Sequence, residues 1–177
     1  MDIEVIKKLI RKYQSGHTDF VRQAEKAKAY YRNETDIMFP PLKEEQEKKE
    51  KPLRNADNRI PFNFHGLLVN QKASYMFAAS PIFDLGNKDA NKKLTQFLGD
   101  KYPKVCKDLC IEASNCMVAW LHVWKDGKGA WKYAVVPAEQ IIPVWTSDLE
   151  KELSGVFRSY QSIDEETGDR YTVYEYW

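Results

Sequence analysis

The spacing of apolar side chains predicts two amphipathic helices at the start of the chain. Between Ile3 and Gln14 apolar residues recur at three- and four-residue steps and lysines lie between them, which is typical of a helix with one buried face. Ser15-Gly16-His17 is predicted to break this helix, and Thr18 is predicted to cap a second one that continues to about Arg32. Two such helices joined by a short glycine-containing turn indicate a helical hairpin.

A further helix is predicted after an extended segment at Ile60-Pro61. Proline fixes its own φ and favours an extended conformation of the residue before it. Asn63 can accept a hydrogen bond from a first-turn N–H group, so it is the expected N-cap, and Ser80-Pro81 is the expected stop. Tyr75 is expected to be a buried packing anchor with one polar partner for its hydroxyl. The predicted apolar face consists of Phe64, Leu67, Leu68, Gln71, Tyr75 and Ala78.

Two shorter helices are predicted before the hydrophobic pattern changes. The first covers Asn87 to Gly99, and the second begins near Pro103, which suits a first helical turn, and reaches about Asn115. Cys116 to Trp124 and Ala130 to Val136 then read as a β-hairpin around a glycine-rich turn. Because both faces of its first strand are apolar, that strand is expected to be central in a sheet or covered by helices.

Three more strands are predicted at Ile141–Trp145, Gly155–Gln161 and Arg170–Trp177, with a turn at 164–168 between the last two. The predicted fold class is therefore α+β, with helices packed on an antiparallel β-sheet. We expect a single domain over residues 1–177, with a helical part at about 1–115, a charged loop at about 40–57 and a β part at about 116–177. The charges at 43–51 predict an exposed loop or solvated helical extension, or else a docking loop for another subunit.

Composition excludes some classes of function. The chain has 177 residues, of which 43% are hydrophobic, and this favours a folded domain. Its formal net charge of +1 provides no global attraction to nucleic acid or to an anionic membrane. No apolar run is long enough to span a bilayer, and the acidic start is unlike a secretory signal. Three cysteines fit a reducing compartment, so a cytosolic location is expected.

Candidate chemistry in the chain is weak. Cys106 and Cys110 share a helical face, and Cys116 and His122 follow closely, but core packing explains these cysteines better than a zinc site does. The chain has neither a nucleophile elbow nor a phosphate-binding glycine loop, so no enzyme activity, metal or cofactor is expected. The aromatic-rich β part leaves an alternative open, which is a non-enzymatic module that binds nucleic acid or protein.

One segment resembles a known family signature. The matching residues are Asn58, Arg59, Ile60, Asn63, Phe64, Lys72, Tyr75, Met76, Pro81 and Ile82. Two later stretches, Val136–Val144 and Gly155–Tyr160, are also similar. The family is the portal proteins, or head-to-tail connectors, of tailed double-stranded DNA bacteriophages with long non-contractile tails. One departure is Ala78-Ala79, where the family tends to have a glycine, and this puts the local turn geometry in question.

The resemblance implies a structural subunit of a virion. A portal is a dodecameric ring at one capsid vertex, conducts DNA during packaging and ejection, and contacts terminase, scaffold or capsid and head–tail connector proteins; it assembles in the host cytoplasm. The chain would be the N-terminal, wing-like part of a longer phage or prophage protein, as its ending in mid-strand at Tyr171–Trp177 also suggests. The motif residues expected at interfaces are Asn58, Arg59, Asn63, Phe64, Lys72, Tyr75 and Pro81.

Overall fold

One continuous helix, α1 (Ile3–Tyr31), begins the part of the chain that the computed structural model describes, which comprises residues 3–38 and 60–177. The predicted break at Ser15-Gly16-His17, and with it the helical hairpin, is wrong. A glycine inside a helix costs only about 1 kcal/mol relative to alanine, and Tyr13 before it and Phe20 after it pack on the apolar clusters of the protein. The Thr18 hydroxyl donates to the carbonyl of Gln14 (2.8 Å), as it can within a helix, and so does not act as an N-cap.

Within residues 60–177 the α-helices are α2 (Phe64–Met76), α3 (Lys88–Leu98) and α4 (Tyr102–Cys116). The Asn63 N-cap is confirmed, because its Oδ1 accepts from the backbone N–H of Gly66 (2.8 Å). Pro103 lies in the first turn of α4, as expected. The helix α2 ends at Met76, before the predicted stop at Ser80-Pro81, because Phe77 leaves helical backbone geometry. The predicted charged loop at about 40–57 lies within residues 39–59, outside the described residues.

Strands β1 (Trp120–Lys125) and β2 (Trp131–Val136) form the predicted antiparallel hairpin. The Asp126 carboxylate accepts the N–H groups of Lys128 and Ala130 and so stabilises the turn. The hairpin is a separate two-stranded sheet, and the expectation that its first strand is central or covered is wrong, because β1 pairs with one neighbour and Val123 is 46% exposed. The predicted strand start at Cys116 is also wrong, since that residue ends α4.

Strands β3 (Ile141–Trp145), β4 (Leu153–Ile163) and β5 (Arg170–Tyr176) form a second antiparallel sheet in that order. The three predicted strands are confirmed, and so is the turn between the last two, where the Asp164 carboxylate accepts backbone N–H groups and Gly168 adopts φ +76°. The α+β class is confirmed, with two small sheets in place of the single sheet that the hydrophobic pattern predicted.

The helix α1 joins two apolar cores. Near its start, four of its side chains pack on a buried cluster of Ile142, Val144 and Phe157 in the second sheet. These four are Ile6, Leu9, Ile10 and Tyr13. Farther along, Ala24 is buried with Cys116 and Ala138, and Phe20, Val118 and Trp120 surround them. The stability of both halves therefore depends on one helix, because it supplies apolar area to each.

Candidate interaction surface

The helix α2 packs against α4 and the end of α1 through its smallest side chains. Gly66, Val69 and Ala73 recur at three- and four-residue steps, and Ala73 is completely buried. Small side chains on this face allow the helix axes to approach closely, because less side-chain volume separates the backbones. The inner face of α2 is therefore this small-residue face.

Hydrogen bonds fix the orientation of α2. Asn63 Nδ2 donates to the backbone carbonyl of Tyr31 (3.1 Å), and the Tyr31 hydroxyl donates to Asn70 Oδ1 (2.8 Å). On the other side, His65 Nε2 lies 2.8 Å from Oδ1 of Asn115, which is a buried polar side chain of α4. Because these contacts lie on both α1 and α4, α2 cannot rotate about its axis without losing several of them.

The large apolar side chains of α2 point away from the protein. We define the α2 ridge as five side chains that are each at least 60% exposed, namely Phe62, Phe64, Leu67, Leu68 and Tyr75. Each helical residue rotates the chain by about 100°, which places Phe64, Leu68 and Tyr75 opposite the buried small residues. The predicted buried face is therefore the exposed one, and the prediction that Tyr75 is a packing anchor is wrong, since Tyr75 is 87% exposed.

The α2 ridge exposes a large total of apolar surface for a single chain, with the exposed Gln71 on the same face between Leu68 and Tyr75. Each aromatic residue offers roughly 200 Å² in total, so the exposed fractions of the five residues correspond to on the order of 600 Å². Soluble monomers rarely expose contiguous apolar patches above a few hundred Å², and larger ones mark interaction sites. A helix that is apolar on nearly all sides is typical of a buried position. The ridge is therefore a candidate surface for contact with another protein segment.

Four of the seven predicted motif residues lie on or at the start of α2. Asn63 caps it, Phe64 contacts Phe62 with ring centroids 5.7 Å apart, and Lys72 and Tyr75 are exposed. Pro81 is half-buried in a separate groove near α3 and α4, so it does not join the ridge. Asn58 and Arg59 lie outside the described residues.

An apolar groove lies between the first half of α1 and strand β3. We call it the α1/β3 groove; its volume is about 400 Å³. Burial lowers the pKa of His17 on its wall, against a weaker opposing hydrogen bond with the backbone of Glu139, and this favours the neutral imidazole. The groove was not predicted from the sequence, because the predicted helix break fell at Gly16, which lies on the groove wall. Its lining includes Tyr13, Gly16, His17, Phe20, Trp120 and Trp145.

An ion-pair cluster connects α1, α4 and the 3₁₀ turn Ala138–Gln140. Lys28 Nζ donates to Glu112 (2.7 Å) and to Glu139 (2.6 Å), and the side chains are 15–28% exposed. Glu112 Oε1 also accepts the backbone N–H of Ala138 (2.8 Å). Burial alone would lower the pKa of Lys28, but the two hydrogen bonds to carboxylates hold it above its ordinary value. This cluster is a structural connection between the helices.

The same cluster is the one place in the described residues where three potential metal ligands converge. Ligand atoms of Glu112, Cys116 and Glu139 lie within 4.8 Å of one another. However, burial, reinforced by the Glu112 carboxylate, raises the pKa of the Cys116 thiol to about 11, whereas metals bind the thiolate. The ammonium of Lys28 already neutralises part of the carboxylate charge. The arrangement therefore suits an ion pair better than a metal site.

Several aromatic residues of the β part have packing or pairing roles that explain them without nucleic acid. Phe157 and Tyr133 are buried, and the Tyr133 hydroxyl donates to the carbonyl of Leu98 in α3. Arg158 lies over the Tyr160 ring and also bonds Glu175, so its charge is already paired. No observation on residues 3–38 and 60–177 favours the nucleic-acid alternative. In the same ranges, no helix combines the length and apolarity that a bilayer crossing requires.

Comparison with known proteins decides the family. The family described as "Phage portal protein, SPP1 Gp6-like" matches residues 10–177. The chain belongs to this family. A portal protein of Clostridium phage phiCD119 is 41% identical over an alignment of 192 positions, which includes the whole of this chain and 41% of the relative. A portal protein of Bacillus phage SPP1 is 24% identical over 105 positions, or 59% of this chain and 21% of the relative.

The portal resemblance inferred from the Asn58–Ile82 segment is thereby confirmed. The chain spans about two-fifths of the length of the phiCD119 portal protein, so it corresponds to part of a portal subunit of that size. The family match begins within α1 and includes α2, both grooves and both sheets, so every surface described above lies within the portal family region.

Proposed function

We propose that this chain is a structural segment of a phage portal subunit. In this role it forms part of a ring at one capsid vertex, through which DNA passes during packaging and ejection. The proposal is supported mainly by the portal family match over residues 10–177 and by the relative that is 41% identical over the whole chain. The segment contributes shape and assembly contacts, and no covalent chemistry.

The proposed partners are other copies of the same subunit, in a dodecameric ring, and the proteins that meet a portal in turn. These are terminase during packaging, scaffold or capsid protein in the shell, and head–tail connector proteins later. The proposed locations are the virion and, during assembly, the host cytoplasm. The exposed α2 ridge supports an assembly role, because an apolar surface on the order of 600 Å² is most stable when another protein covers it.

Purification of the full-length protein followed by electron microscopy tests this proposal. Closed rings of uniform size, with twelve subunits by native mass spectrometry, are the expected result. A monomer or simple dimer at micromolar concentration would contradict it. As an independent measure, infection by phage that lacks the gene should give no DNA-filled heads, and complementation with the intact gene should restore them.

A further inference from the structure

We propose that the α2 ridge of one copy docks into the α1/β3 groove of a second copy. The inference depends on the ring proposed above and assigns one interface within it. The two surfaces differ in shape: the ridge is a set of outward-pointing apolar side chains, and the groove is a concave apolar feature with a volume of about 400 Å³. A pocket of that volume lies in the range that accommodates several apolar groups.

A single copy cannot fill its own groove with its own ridge. Asn63 holds the start of α2 at Tyr31, the last residue of α1, whereas His17 of the groove lies fourteen residues earlier in the same helix. At 1.5 Å per residue, these positions are about 21 Å apart along a continuous helix. The contacts that hold α2 on α4 also fix the direction of the ridge. The ridge that we propose in the groove is therefore that of a second copy, and other segments of the chain are separate outcomes of the test below.

Two different apolar patches on one chain are the requirement for head-to-tail assembly. A ring of identical subunits with cyclic symmetry uses heterologous contacts, in which one patch meets a different patch on the neighbour. The ridge area, on the order of 600 Å², approaches the roughly 800 Å² per partner of a standard stable interface. The residues that line the groove are nearly all apolar, and this suits burial of the ridge, because a wall of charged groups would have to be desolvated.

A substitution at Gly16 can block the groove without disturbing the fold. Gly16 lines the groove, and a Cβ atom added there meets no other atom within 4 Å. Because Gly16 lies inside α1, replacing it with leucine raises helix propensity while the new side chain projects into or beside the groove. We expect Gly16→Leu to melt at or above the wild-type temperature and to reduce the ring fraction of the full-length protein by about tenfold or more. Gly16→Ala is the matched control and should form rings normally.

Photo-cross-linking in the full-length portal identifies the occupant directly. p-Benzoylphenylalanine in place of Phe64 should, on irradiation, yield a cross-linked subunit dimer whose bridging peptide contains α1 residues 13–20 or strand β3. The same probe at Ile163, which is 57% exposed on the second sheet, should not capture that peptide. Capture of a later segment of the same chain, of another surface of the neighbour or of a capsid protein would overturn the docking proposal.

The two proposals fail in different ways. If the unmodified full-length protein forms no ring, the portal function itself is contradicted. If it forms rings, but the Gly16→Leu protein does so equally well and the Phe64 probe captures no groove peptide, only the docking proposal is wrong. Should Gly16→Leu misfold, the cross-linked peptide from the Phe64 probe decides the matter alone.

Discussion

The two faces of α2 should respond in opposite ways to substitution. Tyr75 is 87% exposed, so only about 30 Å² of its surface is buried, which corresponds to about 0.7 kcal/mol at 25 cal/mol/Å². Alanine has the better helix propensity by about 0.5 kcal/mol, so Tyr75→Ala should leave the free energy of unfolding nearly unchanged. Ala73 is fully buried against α4, and Ala73→Leu should lower that free energy by about 1–3 kcal/mol through overpacking.

Urea titration of the 177-residue chain, followed by tryptophan fluorescence at submicromolar concentration, measures both effects. With a slope of about 2 kcal/mol/M, Ala73→Leu should lower the midpoint by roughly 0.5–1.5 M, and Tyr75→Ala should lower it by less than about 0.2 M. A loss of 3 kcal/mol or more for Tyr75→Ala would refute the reasoning, because only a buried ring costs that much. It would then mean that the outer face of α2 packs within the same chain.

Three further predictions concern other contacts. Lys28→Met should lower the free energy of unfolding by about 2–4 kcal/mol at pH 7, because it leaves the partly buried carboxylates of Glu112 and Glu139 without their cation. Since the folded-state pKa of Lys28 is raised, its contribution is present below about pH 10 and should be lost as the pH rises above that value in urea titrations. Asn63→Ala should cost about 1–2 kcal/mol in the same assay, because it removes both the helix cap and the bond to the Tyr31 carbonyl, whereas Asn63→Asp keeps the cap oxygen, loses the donor to Tyr31 and should recover only part of that cost. At pH 8 a thiol reagent should modify half-buried Cys110 before Cys116, whose thiol is buried and protonated; mass spectrometry of the labelled peptides would show the order.

The sequence predicted the types of the helices and strands better than it predicted which of their faces are buried. Asn63 and Pro103 each carry a local signal for a helix start, and both were confirmed; the helix predicted from Asn87 was also found, with Asn87 as its N-cap. The buried face of α2 could not be derived in this way. Apolar residues occur on nearly all sides of the helix, so their spacing alone does not show which side is buried, and the larger apolar side chains were taken to be the buried ones. The protein instead buries Gly66, Val69 and Ala73, since close helix approach depends on small volume. That choice requires knowledge of α4 and cannot be read from α2 alone.

The error at Gly16 has a different cause. Glycine and serine are reliable breakers when nothing else stabilises the helix, but α1 is held by apolar contacts on both sides of that position. Those contacts come from residues more than a hundred positions later in the chain, such as Ile142 and Phe157. The groove beside Gly16 was consequently absent from the sequence-based prediction, whereas the portal signature was found because it depends on residue identity.

The continuity of α1 has a mechanical consequence. A helix of 29 residues is about 43 Å long, and this one is attached to the three-stranded sheet near one end and to α2 at the other. A hinge at Gly16 would have let those two ends move separately. In an unbroken helix, a tilt at one end moves the other end as well. Any force applied to the second sheet would therefore displace Asn63 and the ridge in the same motion. In a ring, a movement of the second sheet in one subunit would therefore be passed through α1 to the surface that faces the neighbouring subunit.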